Sequence, residues 1–273
     1  MTMPCWIEVS CSLFPGLDGQ AHVPWHTLRE TVKAWRQSGL FDTFWFVRKM
    51  PGLKLRFHAP EEAGALQSHL AAWLQQAERG NELRGYRFTR YEPESHRFGG
   101  AAGMELAHRH FDAGSQTVLD YEDLERSDRG GIDRLTYSMA NTSDLLLGAL
   151  GDMAEVWDVW MHLADTVPRY APSAGSDEAG RWAEALGGWD AMAGRVDEGL
   201  SALVEAARAA NMRTATALNA LNDGGLLGVG SRAWLAAATV FEWNRFGLPN
   251  HPNALATSVA FAAGVLAPDA RRR

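Results

Sequence analysis

The chain has 273 residues, 46% of them hydrophobic and 22% charged, which excludes a disulfide miniprotein, a fibrous repeat and a disordered tail. A formal net charge of −7 argues against a nucleic-acid binder, which carries a broad basic surface to neutralise phosphates, and 11 Trp and 11 Phe against 5 Tyr point to a core or groove rich in indole. The start Met1-Thr-Met-Pro-Cys-Trp6 lacks the basic and apolar runs of a signal peptide. No window approaches the roughly 20 apolar residues of a membrane span, so a cytoplasmic protein without membrane contact is expected.

Trp6 to Ser12 alternates Ile7, Val9 and Cys11 with Glu8, Ser10 and Ser12, which is strand spacing. Cys5 and Cys11 lie six apart along that strand, about 20 Å in extended backbone, too far for a disulfide, so buried thiols are expected. Pro24 to Gln37 spaces Leu28, Val32 and Trp35 as a helix stopped at Ser38-Gly39. Phe41–Val47 and Leu53–His58 are strands joined by the turn Arg48-Lys-Met-Pro-Gly52. A helix over Glu61–Glu78, apolar at Leu66, Leu70, Trp73 and Leu74, and a strand over Arg84–Tyr91 complete the pattern.

The expected class is therefore α+β, a ferredoxin-like βαββαβ antiparallel sheet half over residues 1–100 fused to a mainly helical half over 101–273, the two sharing one core. In the second half, Ala101–Glu125, Asp133–Leu163, Glu178–Ala209 and Ser231–Arg245 carry helical stripes, and residues 171–177 are the best linker candidate.

No dinucleotide fingerprint, P-loop, nucleophile elbow or HExxH occurs. Gly224–Gly230 lacks the strand-to-helix setting of a phosphate loop and reads as flexible, and His108 and His110 read as solvent-exposed residues on two faces of a helix. No metal or redox cofactor is implied.

Two segments carry chemistry. The hairpin Phe44 to Phe57 holds Arg48, Lys49, Lys54 and Arg56 and no carboxylate. Alternation places Lys54, Arg56 and His58 on one face, a surface suited to a carboxylate, an acidic peptide or a developing oxyanion, or simply a charge-guarded edge strand. The second is Arg90-Tyr-Glu-Pro-Glu-Ser-His-Arg-Phe-Gly-Gly100, a polar loop between a strand and a helix N-terminus, where sites are favoured.

The ordered landmarks Phe46 to Phe57, Tyr91 to Gly100, Met104-Glu105, Phe111-Asp-Ala-Gly-Ser115 and Trp243-Asn-Arg-Phe-Gly247 resemble the C-terminal domain of lantibiotic dehydratases, whose relatives include stand-alone thiopeptide biosynthesis proteins. The resemblance implies one of two activities. Glutamate-eliminating members hold a glutamyl carboxylate in a basic hairpin, which would here involve Lys54, Arg56 and Arg97. They also use a histidine about four residues before the terminal Asn-Arg, and Thr239-Val-Phe-Glu-Trp243 supplies none.

The other branch, the pyridine synthases, joins two dehydroalanines of a modified precursor peptide in a formal four-plus-two cycloaddition, then loses water and the leader. It needs positioned donors and acceptors and no cofactor. Its resemblance implies a partner made of a leader and an azole- and dehydroalanine-bearing core, with other enzymes of the pathway as further partners. On that reading Tyr91, Glu94 and Glu242 are candidates for proton transfer, with Tyr137 and Ser138 as second contributors. Arg48, Lys54, Arg56 and Arg97 are candidates for holding carbonyl or acidic groups, Trp45 and Trp243 for stacking on azoles, and Asn244 and Arg245 for substrate contact. Glu242, among Ala236–Phe241, Trp243 and Phe246, would carry a raised pKa if buried. A glutamate-eliminating domain of a split dehydratase and a non-catalytic leader-binding scaffold are the alternatives.

Overall fold

A computed structural model describes residues 6–15, 23–61, 63–127, 131–168 and 173–268. Cys5, Gly130 and the terminal arginines lie outside the described residues, as do parts of the linker candidate. The chain is α+β: a four-stranded antiparallel sheet followed by a mostly helical remainder. It divides into two units, one of residues 1–93 with 114–123, the other of 94–113 with 124–273.

In the first unit β1 (Trp6–Ser12), β2 (Thr43–Lys49), β3 (Gly52–His58) and β4 (Gly85–Thr89) form one sheet in the order β2-β3-β1-β4. The register pairs Glu8 with Arg56 and Thr89, and Ser10 with Lys54 and Arg87. One sheet face therefore carries Val9, Cys11, Phe44, Phe46, Leu53, Leu55 and Phe57, all buried, and the other carries Glu8, Ser10, Lys54 and Arg56 beside the buried Trp45 and Val47. Phe57 lies 4.8 Å from Phe44 and 5.2 Å from Phe41 between ring centroids.

Helix α1 (Trp25–Gln37) buries Leu28 and Val32, and α2 (Ala63–Arg79) buries Leu66, Leu70, Leu74 and Ala77 at helical spacing. A long helix α3 (Ala101–Arg126) contributes residues 114–123 to this unit. There Asp120 accepts a hydrogen bond from Arg29 at 2.6 Å, and the Ser115 hydroxyl accepts one from the Phe46 N–H of β2 at 3.3 Å.

In the second unit α4 (Arg134–Leu150) is buried on nearly every side and packs against α5 (Met153–Ala164), α6 (Ser176–Ala185), α7 (Gly188–Ala191), α8 (Glu198–Asp223) and α9 (Ser231–Phe246). The single helix expected over 133–163 is two. Gly151, left-handed at φ 66°, ends α4, and the Asp152 carboxylate accepts from the Ala154 N–H to start α5. The helix expected over 178–209 likewise breaks, at Gly187-Gly188 and again before Asp197, which caps α8 through the Leu200 N–H. A last helix, α10 (Pro252–Val265), gave no sequence signal because its apolar residues form no stripe.

The two glycine-rich segments meet within this unit. Gly228 donates its N–H to the Gly99 carbonyl at 2.8 Å, so the loop read as flexible is tied down, and a Cβ on Gly99 would stand 2.9 Å from the Gly228 nitrogen. Among the described residues no helix is long and apolar enough to cross a membrane.

Candidate functional site

The sequence-derived site residues fall into both units, and each group forms a network of its own. Trp45, Arg48, Lys54, Arg56 and Tyr91 belong to the first. On the polar sheet face the two cations expected to await a carboxylate already have one. Glu8, 2% exposed at the centre of β1, accepts hydrogen bonds from Lys54 Nζ, Arg56 Nε and Thr89 Oγ1, each at 2.7 Å. The cause is the register: Glu8 stands directly across from Arg56 on one side and Thr89 on the other. Burial alone would raise its carboxyl. The hydrogen bonds from Lys54, Thr89 and Arg56 and the charge of Arg56 outweigh that and hold it below its ordinary value.

The Arg56 guanidinium is also covered by aromatic faces, 4.1 Å from the Trp45 ring centroid and 4.8 Å from that of Tyr91. Trp45 is 1% exposed and meets Tyr91 edge-on at 5.7 Å, with Trp6 5.0 Å from the same tyrosine. The indole expected to stack on a flat substrate is thus a core side chain under an arginine. Arg48 ion-pairs with Glu122 at 2.9 Å over the Trp25 ring, and His58 contacts Asp42 at 2.8 Å, so the hairpin that holds no carboxylate in its own sequence is supplied with them from elsewhere in the unit.

In the second unit Glu242 and Ser138 come together as a buried pair. Ser138 donates to Glu242 Oε1 at 2.9 Å, and Asn141, one turn along α4, donates to Oε2 at 3.1 Å. Asn141 Oδ1 accepts in turn from Asn211 of α8 at 3.0 Å, and the same Asn211 amide reaches Asp144 at 2.9 Å. Burial pushes the Glu242 carboxyl above its ordinary value, against the opposing pull of Ser138, the Arg245 charge and Asn141. Arg245 is fully buried, its guanidinium carbon 5.0 Å from the Phe111 ring centroid. Burial lowers its pKa to about 10, so it stays charged at neutral pH.

His110, expected in solvent, is 5% exposed. Its Nδ1 lies 3.3 Å from Thr214 Oγ1, and burial, with the Arg245 charge, lowers its pKa to about 3. Tyr137 is buried 4.8 Å from Trp189, Trp243 is 4% exposed, and Asn244 is half-buried. Glu94 and Arg97 sit at the exposed rim, paired at 3.3 Å, with Arg97 lying 5.5 Å from the Phe241 centroid. The sequence reading missed Asn141 and Asn211. Their signal was two amides on helices where aliphatic side chains would pack as well. Among the described residues no cluster of metal ligands occurs.

Residues 9–263 match the family model described as lantibiotic biosynthesis dehydratase C-term. The chain belongs to that family. Among solved structures, the tRNA dependent lantibiotic dehydratase MibB from Microbispora sp. 107891 matches with a TM-score of 0.72 and 20% identity, over 100% of this chain and 29% of that one. That likeness concerns the fold, and this member of the family spans under a third of MibB's length. The crystal structure of TsrL matches with a TM-score of 0.49 and 15% identity, over 96% of this chain and 97% of that one. No curated protein matches the chain.

Proposed function

We propose that the protein is an enzyme of peptide-antibiotic biosynthesis, a pyridine synthase that makes a macrocycle from a precursor peptide carrying a leader, azoles and two dehydroalanines. Its sheet order β2-β3-β1-β4 suits a ferredoxin-like reading of the first unit. One observation carries the choice of reaction. Glutamate elimination needs cations able to grip the glutamyl carboxylate, and here Lys54 and Arg56 are both already engaged by the Glu8 carboxylate from within the sheet. The absence of a histidine from Thr239 to Trp243 points the same way, since elimination then lacks its imidazole at that place.

The chemistry left to supply is positioning and proton transfer. Cycloaddition gains most from holding two alkenes together, which lowers its entropic barrier. Loss of water needs an acid. Glu242, kept protonatable by burial and oriented by Ser138 and Asn141, is that acid in this reading. Tyr91 and Glu94 assist tautomerisation and leader loss, Arg97 steadies a carbonyl oxygen, and Lys54 and Arg56 serve as parts of the polar face around Glu8. Incubation with a peptide glutamylated on serine tests the choice. It is expected to return intact, and release of free glutamate would overturn the assignment.

A further inference from the structure

Next to Glu8 the same sheet face opens into a hollow of about 550 Å³ lined by Ser10 and Ser12 of β1 and by Arg84, Tyr86 and Arg87 at β4. It contains no carboxylate. Arg84 and Arg87 are exposed, and among the described residues neither guanidinium has an ion-pair or hydrogen-bonding partner. Elsewhere in the unit Arg29, Arg48, Lys54 and Arg56 are held by acids, whereas Arg84 and Arg87 stand together at one hollow. An acidic chain with 33 carboxylates leaves these two cations unneutralised beside a strand edge.

That edge is β4. It pairs with β1 alone among the described residues, so its outer backbone groups face no strand. Alternation puts Arg87 on the Ser10 face of the sheet and Phe88 on the other, where Phe88 is 37% exposed. An added strand would thus meet Arg87 on one side and Phe88 on the other.

We infer that the edge of β4 and the Arg84–Arg87 hollow form a docking site for an extended acidic peptide segment of another molecule, one that alternates carboxylates with apolar residues. Backbone hydrogen bonds to β4 would hold it and the two arginines would select it. A second copy of the chain fits poorly, since a β4–β4 pair would bring like charges together. The site lies two residues along β1 from Glu8 and stands apart from the reaction proposed above: it requires only that the partner be an acidic peptide.

Fluorescence anisotropy with a labelled alternating Glu-Val peptide tests it on the full chain. Binding is expected that weakens with salt, drops at least about tenfold in the Arg84→Glu/Arg87→Glu variant, and is lost when alternate peptide nitrogens are methylated. A Lys-Val peptide of the same length should not bind. Both arginines are exposed, and an unchanged circular dichroism melt confirms that the variant folds. Equal binding by the variant, equal binding by the methylated peptide, no binding by the native chain, or sedimentation as a dimer that the variant dissolves would each overturn the inference.

Discussion

Replacing Glu8 by Gln keeps the shape of the side chain and removes the charge that Lys54 and Arg56 share. Removing one partner of a fully buried ion pair costs about 3–5 kcal/mol. Here the lysine and arginine side chains keep 22% and 12% of their exposure, so water recovers part of that and about 2–3 kcal/mol remains at pH 7. For a chain of this size that corresponds to a fall in melting temperature of roughly 5–10 °C. The effect has a signature in pH. The folded carboxyl ionises below the value of 4.5 it has when unfolded, so its contribution is complete above that pH and is lost as pH falls through the lower folded value. Urea unfolding followed by tryptophan emission should therefore show a gap between native and variant chains that narrows below pH 4.5. A gap under about 0.5 kcal/mol at pH 7, or one that widens in acid, would refute the view that Glu8 holds Lys54 and Arg56 on this face.

Replacing Glu242 by Gln should lower macrocycle formation by about 100-fold or more and remove the fall in rate seen as pH rises through the carboxyl's elevated pKa, which a pH–rate series reads directly. His110 is held neutral far below its ordinary 6.5, so protonation favours the unfolded chain, and stability lost between pH 6.5 and about 3 should be partly regained in His110→Leu, measured by acid unfolding. Gly99→Ala combines a backbone at φ 76° with a 2.9 Å contact to backbone nitrogen, and Gly100→Ala, with open space around it, forces alanine to φ 104° and ψ −168°, a region only glycine enters; each should cost about 2–3 kcal/mol, which urea titrations measure.

Local periodicity carried most of the first ninety residues, because strands with one buried face and helices with an apolar stripe write those faces into the spacing, as Val9-x-Cys11 and Leu66, Leu70, Leu74 show. It failed in the helical remainder, where α4 is buried on nearly every side and the breaks at Gly151 and Gly188 depend on single residues in left-handed conformation. The site was legible as residue types but not as pairings. Glu8 and Lys54 are 46 residues apart, and only the β1–β3 register makes the acid meet the cations. Glu242 was singled out for its apolar neighbours and is indeed buried, yet Ser138 and Asn141, about a hundred residues earlier, had no local mark as its partners. Much of the tryptophan belongs to the core, where Trp45, Trp160, Trp189 and Trp234 are fully buried, while Trp6, Trp25, Trp35, Trp73 and Trp157 are half-buried.

The most direct measurement is mass spectrometry of a fully dehydrated, azole-bearing precursor incubated with the purified protein. A pyridine-centred macrocycle should appear together with the leader released as its carboxamide. An intact precursor after long incubation, with leader binding confirmed, would contradict the proposed reaction.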